Sequence, residues 1–136
     1  MRVFLFAVLL FFLTAPAMAE GRIYCPLPED GIWVNENAKA KQISRIEIET
    51  KCVDDTVQAR MRAFTKCIPR DCKWGWTKAE LRDYGGLRSD LMGFLTAKVL
   101  FVRNFQGYLD VRLIEVPHDP NLPQSEESYT LTRAKR

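Results

Sequence analysis

Histidine is nearly missing from this chain of 136 residues: there is one, His118. It falls in the loop-like stretch Val116-Pro117-His118-Asp119-Pro120, where an imidazole is solvated rather than poised as a general base. Missing as well are the G-x-S-x-G serine elbow, a glycine-rich phosphate loop and the H-E-x-x-H zinc helix. Glu47 and Glu49 fall on the outward side of a strand pattern and read as solvated, which leaves no acid/base pair. A large excess of one charge is also lacking: the net charge is +3, too small for a nucleic-acid footprint. No repeat or low-complexity segment occurs, and only one long apolar run. These absences predict a non-enzymatic protein with no cofactor, no catalytic residue, no metal and no nucleic-acid partner.

The single apolar run, Val3 to Leu13, follows Met1-Arg2 and leads into Ala15-Pro16-Ala17-Met18-Ala19. One positive charge, a short apolar core and a small-x-small end are the parts of a secretory signal peptide. The competing reading, an uncleaved anchor, needs about 20 apolar residues, and the run is shorter. Residues 1–19 are therefore expected to be a signal peptide and residues 20–136 one domain, periplasmic or extracellular, with no membrane span after cleavage. Pro117 to Ser128, rich in proline, serine and acidic residues, is the one long linker-like stretch.

Four cysteines lie beyond the signal peptide, and in an exported chain an even number predicts disulfides. Sequence alone admits three pairings. Pro69 and its polar neighbours favour a tight turn that pairs Cys67 with Cys72 and leaves Cys25 with Cys52. On chain-entropy arithmetic the short loop contributes about 2 kcal/mol and the longer one about 3.5 kcal/mol. A four-thiolate zinc site is the alternative; the C-x4-C spacing and the scattered second pair disfavour it.

The stretch Cys67-Ile68-Pro69-Arg70-Asp71-Cys72-Lys73-Trp74-Gly75-Trp76 reads as a disulfide-pinned corner with a strand on either side. Asp71 is expected to bond within that turn. Before it, Val57, Ala59, Met61, Ala63 and Thr65 share one face, and Gln58, Arg60, Arg62 and Lys66 share the other, with Phe64 as the exception. Period-two patterning of that length is a half-buried strand. Short strands are also expected at Gly31–Asn35, Ile43–Glu49, Leu95–Val102, Tyr108–Val116 and Tyr129–Arg133, with a hairpin turn at Asn104–Gly107. Thr77-Lys78-Ala79-Glu80 reads as strand or as a helix-capping box, and Leu87 to Phe94 as a helical turn or an irregular crossing.

The pattern predicts an all-β fold: a small antiparallel up-and-down barrel of about 7–8 strands, which hides its edges by closing on itself. Ala59, Ala63, Ala97, Met61 and Phe101 are read as facing inward, and the small residues among them fit either a hollow or a tightly filled interior. If hollow, Trp33, Met61, Trp74 and Phe101 line a pocket for a small apolar molecule. Trp74 and Trp76 are read as pointing to one face, for packing or for gripping a ligand. Arg60, Arg62, Lys66, Arg70 and Lys73 read as a basic outer face, solvated or docking an acidic partner.

Gly31-Ile32-Trp33 near the first strand and Arg133 near the last resemble the pairing in lipocalins, avidins and other calycins. The resemblance implies that Arg133 lies over the Trp33 ring and latches the first strand to the last, a contact worth about 0.5–2 kcal/mol. It also implies two roles: a carrier of a small apolar ligand, or an inhibitor or interaction protein for an exported protease or cell-wall hydrolase. The latter would act through Glu20–Pro28 or Pro117–Ser128. Gly31 to Asn35, Ile43 to Ile48 and Cys67 to Gly75 together are similar to uncharacterised secreted bacterial proteins carrying G-x-W-x-N, I-x-R-I-x-I and C-x-P-x-x-C-x-W-G. That likeness implies no activity.

Overall fold

Alternating apolar residues dictate strands, and in the computed structural model residues 25–135, the ones described, fold as nine strands with no helix. They are β1 Gly31–Val34, β2 Ile43–Val53, β3 Thr56–Thr65, β4 Cys72–Lys73, β5 Thr77–Leu81, β6 Leu87–Met92, β7 Thr96–Phe105, β8 Tyr108–Pro117 and β9 Ser125–Arg133. The signal-peptide reading and the start of the mature domain at Glu20 lie outside the described residues. Each strand pairs antiparallel with its sequence neighbour, except that β3 pairs with both β4 and β5. Pairing of β1 with β9 closes the ring, so eight strands form an up-and-down barrel and β4 is an extra strand beside β3. Closure removes the open edges that a meander of this length would otherwise present.

Two tight hairpins set the register. Asp54-Asp55 joins β2 to β3 and Gln106-Gly107 joins β7 to β8, with all four residues at positive φ. Two-residue turns of that hand match the twist of the flanking strands. The core is one cluster in which Trp33, Ile43, Ile46, Ile48, Met61, Leu100 and Leu131 are among the fully buried side chains. In β3 the inward set is Ala59, Met61 and Ala63, as the alternation requires. In β2 the register shifts between Ile43 and Arg45, which turns Ile43 inward beside Ile46 and Ile48.

Both helical alternatives give way to strand. Thr77–Leu81 is β5 and Leu87–Met92 is β6, because each buries alternate residues, Ala79 in the first and Leu87 and Ser89 in the second. Ser89 satisfies its buried hydroxyl by donating to the Lys78 carbonyl at 2.6 Å. In β7 the expected facing is reversed. Leu100 and Val102 are inward and buried, whereas Phe101 lies opposite Arg88 and Arg112 on the outer surface. Both faces of this strand are apolar, so the alternation carried no contrast to choose between them.

The chain crosses the barrel so that two kinds of end arise. One end carries residues 25–30 and the turns at 54–55, 82–86 and 106–107, and we call it the latch end. The other carries loops 35–42, 66–76, 93–95 and 118–124, and we call it the corner end. Disulfides Cys25–Cys52 and Cys67–Cys72 pin one end each, with Cα separations of 6.2 and 5.5 Å. No free cysteine occurs among the described residues. Two disulfides fit an oxidising extracellular or periplasmic location, and no described helix is long and apolar enough to cross a membrane.

Candidate functional site

At the latch end, Arg133 lies 4.2 Å over the Trp33 ring, opposite it in the β1–β9 register. Its two terminal nitrogens donate to the carbonyls of Asp30 at 2.7 Å and Pro28 at 3.1 Å. The Trp33 indole donates to the Glu29 carbonyl at 2.8 Å, and the Asn104 amide donates to the Glu29 carboxylate. Gly31 has φ +127°, and a Cβ there would sit 2.5 Å from an Arg133 nitrogen. The glycine of the G-x-W pattern is thus required by the latch itself. Segment 27–30 plugs this end, held further by Asp30, which accepts from the Thr50 amide and hydroxyl at 2.7 Å each.

The corner end is built differently. Lys98 and Glu115 are opposite one another on the inward face of β7 and β8 and form an ion pair at 3.3 Å. Trp74 packs against the core under the Lys98 ammonium, which is 4.7 Å from its ring. Tyr129 donates to the Glu127 carboxylate, and burial together with that bond holds the phenol far above its ordinary range, so it stays protonated. These groups form a polar floor beneath four loops.

Hydrogen bonds tie those loops in pairs. The Lys41 amide donates to the Lys66 carbonyl, the Lys66 amide to the Gln42 carbonyl, and Ser44 to Asp71 at 2.5 Å. On the other side the His118 amide donates to the Leu95 carbonyl and its Nε2 to the Gly93 carbonyl at 2.9 Å. The lone histidine is exposed and braces a loop. Three loops carry apolar side chains out into solvent: Phe94 is 97 % exposed, Ile68 is 94 % exposed, and Leu95 and Leu122 are exposed as well, as is Met92 at the end of β6. Exposed apolar side chains also flank the latch-end turns, at Tyr84, Phe105 and Tyr108. The exposed cations Lys39 and Lys41 stand on loop 35–42, and Lys66, Arg70 and Lys73 on segment 66–76 beside Ile68.

No family model matches the chain, and neither a curated protein nor a solved structure is detectably similar to it. The closed antiparallel eight-stranded barrel is compatible with a calycin-like fold.

Of the four residues expected to line a pocket, Trp33, Met61 and Trp74 meet at the core and Phe101 lies apart from them. Trp33 and Met61 are fully buried in the core. Trp74 sits at the corner end and Phe101 is on the outer wall, ringed by Arg82, Arg112 and Arg88 at 4.5, 4.7 and 5.6 Å. An open cleft of about 380 Å³ borders it. Trp76 does not share a face with Trp74. Gly75 interrupts the strand between them, and the Trp76 ring lies between Arg60 at 4.4 Å and Arg62 at 4.6 Å on the outside.

The basic face of β3 is consequently not a free one. Arg62 also stacks with Arg45 on Phe64, each 5.3 Å from its ring. Between those two guanidiniums lies Glu47, only 7 % exposed, bonded to both. Burial pushes this carboxyl up, but the hydrogen bonds and charges of Arg62 and Arg45 outweigh it and hold it below the ordinary carboxylate range. Its expected solvation is overturned by neighbours that only the β2–β3 register supplies. The Lys98–Glu115 pair escaped the sequence reading as well, although a lysine two residues before a buried leucine of the same strand was its signal.

Proposed function

We propose that this is a non-enzymatic exported interaction protein that docks an acidic protein partner with an apolar recess onto its corner end. The observation that carries the reading is the exposure of Phe94, Leu95 and Ile68 on loops, and of Met92 at the adjoining end of β6, at one end of a rigid, closed and disulfide-pinned barrel. Side chains of this kind are worth about 1.5–3 kcal/mol each when buried, so a partner that covers them gains affinity without unfolding the barrel. Lys39, Lys41, Lys66, Arg70 and Lys73 beside them favour an acidic partner and steer its approach. Loop 118–124, with Leu122, belongs to the same surface, in keeping with an inhibitor acting on an exported protease or hydrolase through its Pro117–Ser128 segment.

A carrier role is less well supported. A small apolar guest among Trp33, Met61 and Trp74 must displace side chains already buried in one contiguous core. The Arg133–Trp33 contact supports kinship with lipocalins and avidins at the level of the latch alone.

The test is stoichiometric complex formation, by native mass spectrometry, between the mature protein and the exported proteins of the source cells. The variant Phe94→Ser/Leu95→Ser is the control. Both side chains are exposed, so the variant should keep its unfolding midpoint while losing the complex. A complex that survives both substitutions, no complex at all, or binding of wild type to anionic vesicles in place of a protein overturns the reading.

A further inference from the structure

The barrel wall is split between β3 and β5. Their pairing runs Met61↔Thr77, Arg60↔Lys78 and Ala59↔Ala79 and stops there, although β3 extends back to Thr56 and β5 forward to Leu81. A cleft of about 1180 Å³ opens toward the latch end at this divergence.

Backbone alternation identifies what faces it. In an antiparallel sheet the N–H and C=O of one residue point to one neighbouring strand and those of the next residue to the other. In β3 the Ala63 carbonyl accepts from Trp74, away from β2, while just beyond the strand the Lys66 amide donates to Gln42 on the β2 side. Odd-numbered residues of β3 therefore direct their polar groups away from β2. At the end of β5, the Arg82 amide donates to Gly86, on the β6 side. Odd-numbered residues of β5 therefore direct theirs toward β3. Continued pairing would join Val57 to Leu81, and that pair is not formed. The N–H and C=O groups of both residues thus face the cleft without a strand partner.

Side chains complete the surface. Val57, Ala59, Ala79 and Leu81 form the inner, apolar lining, and Leu81 is 47 % exposed although its strand neighbour Ala79 is buried. Arg60 and Trp76 border the outer side. The charges on that side are largely balanced, Arg60 by Glu49 at 2.6 Å and Lys78 by Glu80 at 3.8 Å. Open backbone groups beside an apolar strip of small residues are the chemistry of strand addition, in which main-chain bonds give affinity and alternate side chains give selection.

We infer that the β3–β5 split is an acceptor for an extended polypeptide segment, with apolar side chains at alternate positions, that bonds to the backbone of Val57 and Leu81. The site is at the opposite end from the loop surface proposed above and stands independently of it.

The probe is a capped peptide of alternating valine and threonine, compared with the same peptide N-methylated at its threonines. In the free protein, amide exchange followed by NMR should be at least about tenfold faster at Val57 and Leu81 than at Ala59 and Ala79, which are paired. Saturating plain peptide should slow Val57 and Leu81 by at least about tenfold. The N-methylated peptide should bind at least about tenfold more weakly, the scale of one or two lost hydrogen bonds. Leu81→Lys should weaken plain-peptide binding to the same extent without lowering the unfolding midpoint, whereas Phe94→Ser should leave it unchanged. Slow exchange at Val57 and Leu81 in the free protein, no binding of the plain peptide, or equal binding of the two peptides overturns the proposal.

Discussion

Glu47→Gln isolates the most concentrated electrostatic feature of the outer wall. The substitution keeps the size of the side chain and one carbonyl acceptor but removes the charge that both Arg45 and Arg62 bond. A hydrogen bond to a charged group is worth about 1.5–3 kcal/mol, and breaking one side of a fully buried ion pair costs about 3–5 kcal/mol. Glu47 is buried, but the Arg45 and Arg62 side chains are 41 % and 25 % exposed. Water therefore relieves the stranded guanidiniums, and the expected loss is about 1–3 kcal/mol at neutral pH. For a domain of this size that is a fall of about 4–12 °C in the unfolding midpoint.

The sign of the pH dependence follows from the direction of the shift. The folded-state pKa of Glu47 is depressed, so its contribution is complete above the unfolded carboxylate value and is lost as the pH falls through the folded one. Denaturant unfolding of wild type and Glu47→Gln should therefore differ most at neutral pH and converge only once the pH has fallen below the ordinary carboxylate range. A difference that stays constant over that range would mean that packing on Phe64, rather than the charge of Glu47, stabilises this face.

Arg133→Lys should lower stability by about 1–2 kcal/mol, because an ammonium cannot span the Pro28 and Asp30 carbonyls while lying flat on Trp33; Trp33 fluorescence during thermal unfolding reads it. Cys67→Ser/Cys72→Ser should cost about 2 kcal/mol and leave the barrel's far-ultraviolet circular dichroism unchanged, since β2–β3 pairing continues without the corner; loss of all strand signal would refute that independence. Together with the loop-surface and strand-acceptor tests, these measurements probe each end and each wall of the barrel separately.

The sequence by itself determined the long strands whose two faces differ, while the short β5 and β6 stayed open to helix. In β3 the run of alanines and Met61 against arginines leaves one way to fold, and in β8 Leu109, Val111 and Leu113 against Asp110 and Arg112 do the same. Cysteine spacing around Pro69 favoured the Cys67–Cys72 pairing among three, because a short loop closes at lower entropic cost than a long one. The Trp33–Arg133 latch was legible only through resemblance, since its two residues are a hundred positions apart.

Tertiary structure alone decided the rest. The facing of β7, with Lys98 inside and Phe101 outside, depends on what β6 and β8 present on each side, because Val99, Leu100, Phe101 and Val102 are all apolar. The burial of Glu47 and the capture of Trp76 between arginines depend on cross-strand neighbours, which a linear pattern does not contain. The parting of β3 from β5, and the backbone groups it leaves open at Val57 and Leu81, comes from barrel closure. Eight strands of unequal length must share one ring, and where the β3–β5 pairing ends at Ala59 and Ala79 the wall opens.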